Sequence, residues 1–145
     1  MAEAAFRIRL ANWPEDREAL RLVRESVFVK EQQVPPELEW DGLDESCLHL
    51  LAEDARGRPI GTGRLLPDGH IGRMAVLEPW RGRGVGTALL RALMEEGRKR
   101  GFEQLVLNAQ VSAIPFYERA GFRAKGAVFD DAGIPHRRML YRVSR

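Results

Sequence analysis

The sequence predicts one α+β, or mixed α/β, domain over residues 1–145, built on a largely antiparallel sheet flanked by helices. Two observations carry this prediction. Strand-like and helix-like segments follow in the order β-α-loop-β-β-β-α-β-α-β-β, and the three middle strands are joined by short turns. Short turns allow antiparallel hairpins but not parallel crossovers. The length of 145 residues, with 44% hydrophobic and 30% charged residues, fits one globular domain.

The first half of the chain predicts a strand, a helix, an irregular segment and three more strands. Residues 6–10 alternate apolar and basic side chains, as a half-buried strand does. A helix follows Trp13, with one apolar face that contains Ala19, Leu20, Val23 and Val27. Residues 30–46 contain two prolines and six acids without clear periodicity, which predicts a loop or a short broken helix. The three strands are predicted at residues 48–52, 60–66 and 71–76.

The second half predicts two helices that alternate with three strands. A glycine-rich segment at residues 81–86 precedes an amphipathic helix that ends in a basic turn and Gly101. A short buried strand is predicted at residues 105–107, and a short helix at 114–120 is closed by Gly121. The last two strands are predicted at residues 122–129 and 138–143.

Several classes of protein are disfavoured by what the sequence lacks. Cys47 is the only cysteine, which excludes an internal disulfide and zinc sites built on cysteine pairs. The three histidines are too scattered to predict a metal site. No signal peptide and no membrane-length apolar run is visible, so we expect a cytoplasmic protein without a membrane partner. A net charge of +2 and a basic helix interrupted by Leu, Ala and Glu do not favour nucleic-acid binding.

The glycine-rich segment, Arg81-Gly82-Arg83-Gly84-Val85-Gly86-Thr87, carries the clearest chemical signal. The first N–H groups of a helix have no intrahelical partner, so they bind phosphate, and glycines let the backbone approach it closely. Neither of two common phosphate motifs fits. A Walker A loop requires Lys followed by Ser or Thr, and the dinucleotide fingerprint requires a third glycine where Thr87 stands.

Arg81-x-x-Gly84-x-Gly86 resembles the Gln/Arg-x-x-Gly-x-Gly/Ala signature of the GNAT superfamily, the acetyl-CoA-dependent N-acetyltransferases. Residues 74–76, followed by Glu78 and Pro79, resemble the strand that precedes this signature. Residues 113–122 resemble the later family helix, Ala-x-x-Phe/Leu-Tyr-x-x-x-Gly-Phe. Three more segments resemble the ElaA-like branch of the superfamily: residues 27–32, 107–110 and 133–139.

The resemblance implies a site for acetyl-CoA. In the family, the strand before the signature is bulged and splays from the next strand, so that its exposed backbone pairs with the pantetheine arm. The pyrophosphate would then lie on the N–H groups of residues 82–87. The residues assigned to the acetyl-CoA site in this way are Met74, Ala75, Val76, Arg81, Gly82, Arg83, Gly84, Val85, Gly86, Thr87, Gln110 and Phe116.

The same resemblance implies direct attack of an amine on the acetyl thioester. Tyr117 matches the family's usual proton donor to the departing sulfur. Glu31 is taken as the catalytic base, although no spacing singles out one base, and a chain of waters could also serve. The alternative bases are Glu39, Asp41, Asp44 and His136. A different class of function, a non-catalytic module that binds or senses acyl-CoA, is the alternative to an enzyme.

The acidic segment, residues 31–45, predicts the kind of acceptor. It holds six acids and no Lys or Arg, and in the family the segment after the first helix commonly lines the acceptor side. A negative potential there would attract cations. We therefore expect a cationic primary amine, either a small molecule or a peptide. Solubility alone could also explain the acids. The oligomeric state stays open, and a homodimer is one of the states considered.

Overall fold

The computed structural model describes residues 5–143 and has the predicted α+β fold. The seven strands in this range are β1 (Phe6–Ala11), β2 (Leu48–Asp54), β3 (Pro59–Leu65), β4 (Ile71–Val76), β5 (Gln104–Gln110), β6 (Arg123–Asp131) and β7 (Ile134–Arg142). Its α-helices are α1 (Trp13–Arg24), α2 (Pro36–Glu39), α3 (Val85–Lys99) and α4 (Ile114–Arg119). The order of elements agrees with the prediction, and the bounds differ by a few residues.

The largest departures from the predicted elements lie at the first helix and at the last two strands. Helix α1 continues into a π-helical segment, Glu25–Glu31, where the sequence showed only a continuous amphipathic pattern. Strands β6 and β7 are longer than predicted and form one hairpin. At its turn, Ala132 and Gly133 both have positive φ angles (54° and 79°), as two-residue hairpin turns require.

The first sheet, in the order β1-β2-β3-β4, is antiparallel throughout and packs against α3. Glycines in β3 allow the helix to come close. A Cβ atom at Gly61 would lie 3.0 Å from Leu89 Cδ1, and one at Gly63 would lie 2.8 Å from Leu93 Cδ1. Because α3 packs closely on the sheet, its first turn lies near the end of β4.

The second sheet, in the order β5-β7-β6, joins the first sheet at one point only within the described part of the chain. There, the Val106 N–H donates to the Gly69 carbonyl at 3.0 Å, and His70 and Val106 form a parallel bridge. Beyond this bridge β4 and β5 have no further pairing among residues 5–143. The two strands therefore diverge and leave an opening between the sheets.

A β-bulge in β4 lies at Arg73. Thr62 of β3 pairs with Ala75 and Arg64 pairs with Gly72, so β4 has one residue more than β3 over this stretch. Arg73 has a left-handed φ of 52°, and the Thr62 hydroxyl donates to its carbonyl at 3.0 Å. The bulge that the family resemblance implied is thus present, immediately before residues 74–76.

A buried ion-pair network attaches the acidic segment to the first sheet. Arg24, with a side chain only 1% exposed, donates to Glu39 and Asp44 at 2.8 Å each. Arg64 of β3 donates to Asp44 at 2.8 Å and also binds Asp41, whereas Arg73 of β4 donates to Asp41 at 3.2 Å. Three arginines and three carboxylates therefore balance each other, and the hydrogen bonds offset the cost of burying them.

We expect Arg24→Ala to lower the free energy of unfolding by about 3–5 kcal/mol, since removing one partner leaves buried charges uncompensated. Urea unfolding followed by circular dichroism measures the change. The matched control is Arg7→Ala, whose side chain is 71% exposed in its pair with Glu53 and should cost less than about 1 kcal/mol. Equal losses in the two variants would contradict a central role for the network.

Candidate active site

The divergence of β4 from β5 produces a cleft of about 430 Å³, called here the central cleft. Its walls come from the π-helical segment, β4, β5, α4 and β7. Among its lining residues are Phe28, Met74, Gln110, Tyr117 and His136. It therefore brings together three of the residues predicted for the site, Met74, Gln110 and Tyr117, from separate parts of the chain.

The edge of β4 offers backbone groups to this cleft. The Leu77 N–H donates to the Ile60 carbonyl of β3 at 2.9 Å. Because successive N–H groups of an extended strand point to opposite sides, those of Met74 and Val76 point away from β3, toward the gap before β5. No described strand pairs with them there. The Ala75 side chain points into the protein and packs against Val23 and Val27, so only its backbone is close to the cleft.

The loop before α3 has the geometry of an anion site. Gly82 and Gly84 have left-handed φ angles of 76° and 87°, and a Cβ atom at either would meet no atom within 4 Å. The N–H groups of the first helical turn have no intrahelical partner. Val85 is fully buried in the core, so it offers only its backbone N–H, whereas the Thr87 side chain is exposed. The loop thus presents free backbone donors to solvent.

Two arginines flank this loop in different ways. Arg81 donates to the Val76 carbonyl at 2.9 Å and forms two hydrogen bonds of 2.7 Å with Glu31. The Arg83 guanidinium is exposed and lies 5.1 Å from the centre of the Trp80 ring, with no ion-pair partner among the described residues. Arg81 therefore ties the loop to β4 and to the π-helical segment, and Arg83 is available to an anion.

Glu31, the residue predicted as catalytic base, is positioned by its ion pair with Arg81. Hydrogen bonding to that guanidinium lowers the pKa of the Glu31 carboxyl, despite an opposing effect of desolvation. A carboxylate stabilised in this way accepts a proton less readily. The pairing joins residues 50 positions apart, which no local sequence pattern reveals. Its role as base stays a prediction.

Tyr117, the predicted proton donor, lines the central cleft with its ring held by aromatic neighbours. The ring lies 5.0 Å from that of Phe116 and 6.2 Å from that of Phe122, both in edge-to-face contact. Burial raises the pKa of the phenol to about 12, and its hydroxyl has no hydrogen-bond partner among the described residues. The phenol is therefore protonated at neutral pH and free to donate a hydrogen bond.

Gln110 and Phe116, also assigned to the cofactor site, lie in different places: Gln110 lines the central cleft, and Phe116 does not. The Gln110 amide donates to the Gln32 side-chain oxygen at 2.9 Å, which connects β5 with the end of the π-helical segment. Phe116 packs on Gly86, where a Cβ atom would lie 3.5 Å from its ring, and it lines a groove of about 210 Å³ between α3 and α4. Phe116 therefore lies next to the first turn of α3.

His136, which the sequence offered only as an alternative base, lies on β7 directly opposite Gln110 of β5. It lines the central cleft, and its Nδ1 atom is 2.7 Å from the Ile134 carbonyl oxygen. Within residues 5–143, no group of three or more His, Cys, Asp or Glu side chains could hold a metal ion. None of the helices in this range is long and apolar enough to cross a membrane.

Comparison with known proteins agrees with this geometry. A family model described as an acetyltransferase (GNAT) domain matches residues 15–143. The chain belongs to the GNAT acetyltransferase family. The Bacillus subtilis protein YjcF, named as an uncharacterized N-acetyltransferase, is 42% identical over 122 residues, which cover 81% of this chain and 86% of that protein.

Solved GNAT structures share the fold over nearly the whole chain. An acyl-CoA N-acyltransferase from Pseudomonas aeruginosa has a TM-score of 0.83 and 28% identity, with coverage of 94% of this chain and 99% of that one. Escherichia coli ElaA has a TM-score of 0.82 and 27% identity, with coverage of 97% and 100%. The predicted family is confirmed, and this GNAT member is an acyltransferase enzyme that uses acyl-CoA.

We expect Gly84→Glu to weaken binding of CoA at least about tenfold, since it puts a negative charge where the pyrophosphate would lie. Isothermal titration calorimetry with CoA measures the affinity. The control is Gly57→Glu in the turn between β2 and β3, where the φ angle is also positive (79°) and a Cβ atom is also unobstructed. If Gly84→Glu binds CoA as the control does, the loop is not the anion site.

Proposed function

We propose that this GNAT enzyme transfers an acetyl group from acetyl-CoA to a primary amine by direct attack on the thioester. The observation that carries the proposal is the Tyr117 phenol. It is protonated, has no partner among the described residues, and lines the cleft bordered by the unpaired edge of β4. A donor in that place is what a departing thiolate needs.

The chain offers acetyl-CoA a binding surface in two parts. The N–H groups of residues 82–87, with Arg83 beside them, would bind the pyrophosphate, and Arg81 would hold the loop in place. The N–H groups of Met74 and Val76 would pair with the amides of the pantetheine arm, as an added strand would. Phe116 lies beside the first turn of α3 and Gln110 lines the central cleft, so each would lie near one part of this surface.

The attacking amine must lose a proton, and the chain must supply or relay the acceptor of that proton. A protonated amine has no lone pair for attack, so a base in the cleft raises the rate. Glu31 is the base taken from the sequence, and its ion pair with Arg81 makes it a weaker one. Tyr117, at the other side of the reaction, would give its proton to the sulfur.

We propose that the acceptor is a cationic amine. The acid that mainly supports this proposal lies outside the acidic segment. Most of the acidic segment is neutralised, because its carboxylates bind Arg24, Arg64, Arg73 and Arg81. Asp131, at the tip of the β6–β7 hairpin, lines the central cleft and has no ion-pair partner among the described residues. A second positive charge on the acceptor would be attracted to it.

We expect Tyr117→Phe to lower kcat by about 10²–10⁴-fold and to leave the affinity for acetyl-CoA unchanged, because only the hydroxyl is lost. Release of the CoA thiol in the presence of a panel of amines measures the rate. Tyr141→Phe is the control, since Tyr141 packs on Phe122 outside the central cleft. If chemistry limits the rate and Tyr117→Phe leaves kcat unchanged, Tyr117 has only a packing role.

We also expect the enzyme to prefer spermidine over glutamate as acceptor at low salt, with the preference shrinking as salt screens the field. Asp131→Asn should reduce the preference several-fold. Asp130→Asn is the control, because the Asp130 carboxylate accepts from the Gly133 N–H in the hairpin turn. A preference for glutamate, or a preference that does not change with salt concentration, would contradict a cationic acceptor.

A further inference from the structure

We propose that His136 is the general base of the acetyl transfer and that its Nε2 atom takes the proton of the acceptor amine. The proposal rests on the proposed function and names the residue that function leaves unassigned. Three observations support it: the hydrogen bond at Nδ1, the place of the ring between two cavities, and the ion pairs that occupy the other candidates.

The hydrogen bond at Nδ1 determines which ring nitrogen is free. Nδ1 lies 2.7 Å from the Ile134 carbonyl oxygen, and a carbonyl can only accept, so Nδ1 carries the hydrogen. In the neutral ring the lone pair is then on Nε2. No described residue donates to Nε2. The ring also stacks on Phe129, with centroids 6.0 Å apart, which holds its orientation. His136 is thus a base whose accepting atom has no other partner.

The ring stands where an acceptor would approach the thioester. His136 lines the central cleft together with Tyr117, and it also lines a second cavity of about 220 Å³. The two cavities share several lining residues, including Phe28, Gln32 and Gln110, so they adjoin each other. An amine that enters through the second cavity would pass the His136 ring before it reaches the reacting carbon near Tyr117.

The carboxylates considered as bases are all engaged by arginines. Glu31 binds Arg81, which lowers its pKa. Asp41 binds Arg64, and although burial opposes the change, its pKa is about 2. Burial raises the pKa of Glu39, but this carboxylate is 3% exposed and accepts from Arg24 at 2.8 Å.

Asp44 is buried in the same network, between Arg24 and Arg64, and its pKa is lowered. His49 uses its Nε2 atom to bond the Asp44 carbonyl at 2.8 Å, and its ring is 2% exposed. Neither has a free accepting atom open to an amine. In contrast to these carboxylates and His49, His136 combines an unengaged accepting atom with a position in the cleft.

The charges around His136 come from several elements. Besides His136 itself, the titratable and charged groups that line its two cavities are Glu39, Asp41, Arg64, Asp68, His70, Arg73, Tyr117 and Asp131. The first three and Arg73 belong to the buried network, and Asp68 lies 3.0 Å from His70 Nδ1. Asp131, which lines both cavities, is the carboxylate in this set without an ion-pair partner among the described residues.

The amine nitrogen forms a bond to the acetyl carbonyl carbon and becomes more acidic as its lone pair is used. His136 Nε2 takes one N–H proton, the C–S bond breaks with its electron pair on sulfur, and the sulfur takes the Tyr117 proton. The products are the N-acetylated amine and the CoA thiol. The imidazole then returns its proton through solvent while Tyr117 is reprotonated.

The test compares His136→Asn with the wild-type protein over pH 5–9, using thiol release and spermidine as acceptor. The Asn amide can still donate to the Ile134 carbonyl, as Nδ1 does, but it has no basic atom. We expect kcat to fall about 10²–10⁴-fold near neutral pH and acetyl-CoA affinity to stay within twofold. We also expect the loss of the acidic limb that an enzyme base adds to the kcat/KM profile, measured beyond the ionisation of spermidine itself. A purely structural role would not remove the limb.

The control is His70→Asn. His70 lines the same cleft, and its Nδ1 atom lies 3.0 Å from the Asp68 carboxylate. This variant should keep wild-type rates and the acidic limb. Glu31→Gln is the competing variant. If it removes the limb while His136→Asn keeps both rate and limb, Glu31 is the base and the proposal is overturned. If the wild-type protein binds acetyl-CoA but acetylates no amine, the proposed function is wrong. That result is distinct from one in which the enzyme is active and His136 is not its base.

Discussion

The extra residue that β4 carries at Arg73 lies just beyond the last point where β4 and β5 pair, and the central cleft opens between the two strands there. In its left-handed conformation, Arg73 shifts the register against β3, and the Thr62 hydroxyl satisfies its carbonyl. The strand that continues from it, residues 74–76, keeps its bonds to β3 on one side and has free N–H groups on the other. An acyl-CoA arm would complete the sheet along that free edge.

Two sets of ion pairs hold the walls of this cleft. The Arg81–Glu31 pair joins the glycine loop, residues 81–87 at the start of α3, to the π-helical segment. Arg24 and Arg64 attach the acidic segment to β3 and β4. Because the second set is buried and electrically balanced, it contributes shape and order rather than a long-range negative field. In our proposal the acceptor amine would therefore be selected by groups in the cleft itself, namely Asp131 and His136.

The fold, and the position of a glycine-rich loop before α3, could be predicted from sequence because their signals are local. Hydrophobic periodicity gave the element order, and glycine spacing before an amphipathic helix indicated the anion site. Long-range pairing has no such signal: Arg24 meets Asp44 across 20 residues, and Arg81 meets Glu31 across 50. The free nitrogen of His136 depends on a backbone carbonyl two residues away, which only the folded hairpin places beside the ring.

The central claim is that the β4 edge and the glycine loop together bind the CoA moiety. Amide chemical-shift changes in the ¹⁵N-labelled protein, followed by NMR during a CoA titration, test it most directly. We expect the largest changes at the N–H groups of Gly82, Gly84, Met74 and Val76, all with the same apparent affinity for CoA, and little change at Gly57. Changes confined to other surfaces, with β4 and the loop unaffected, would contradict it.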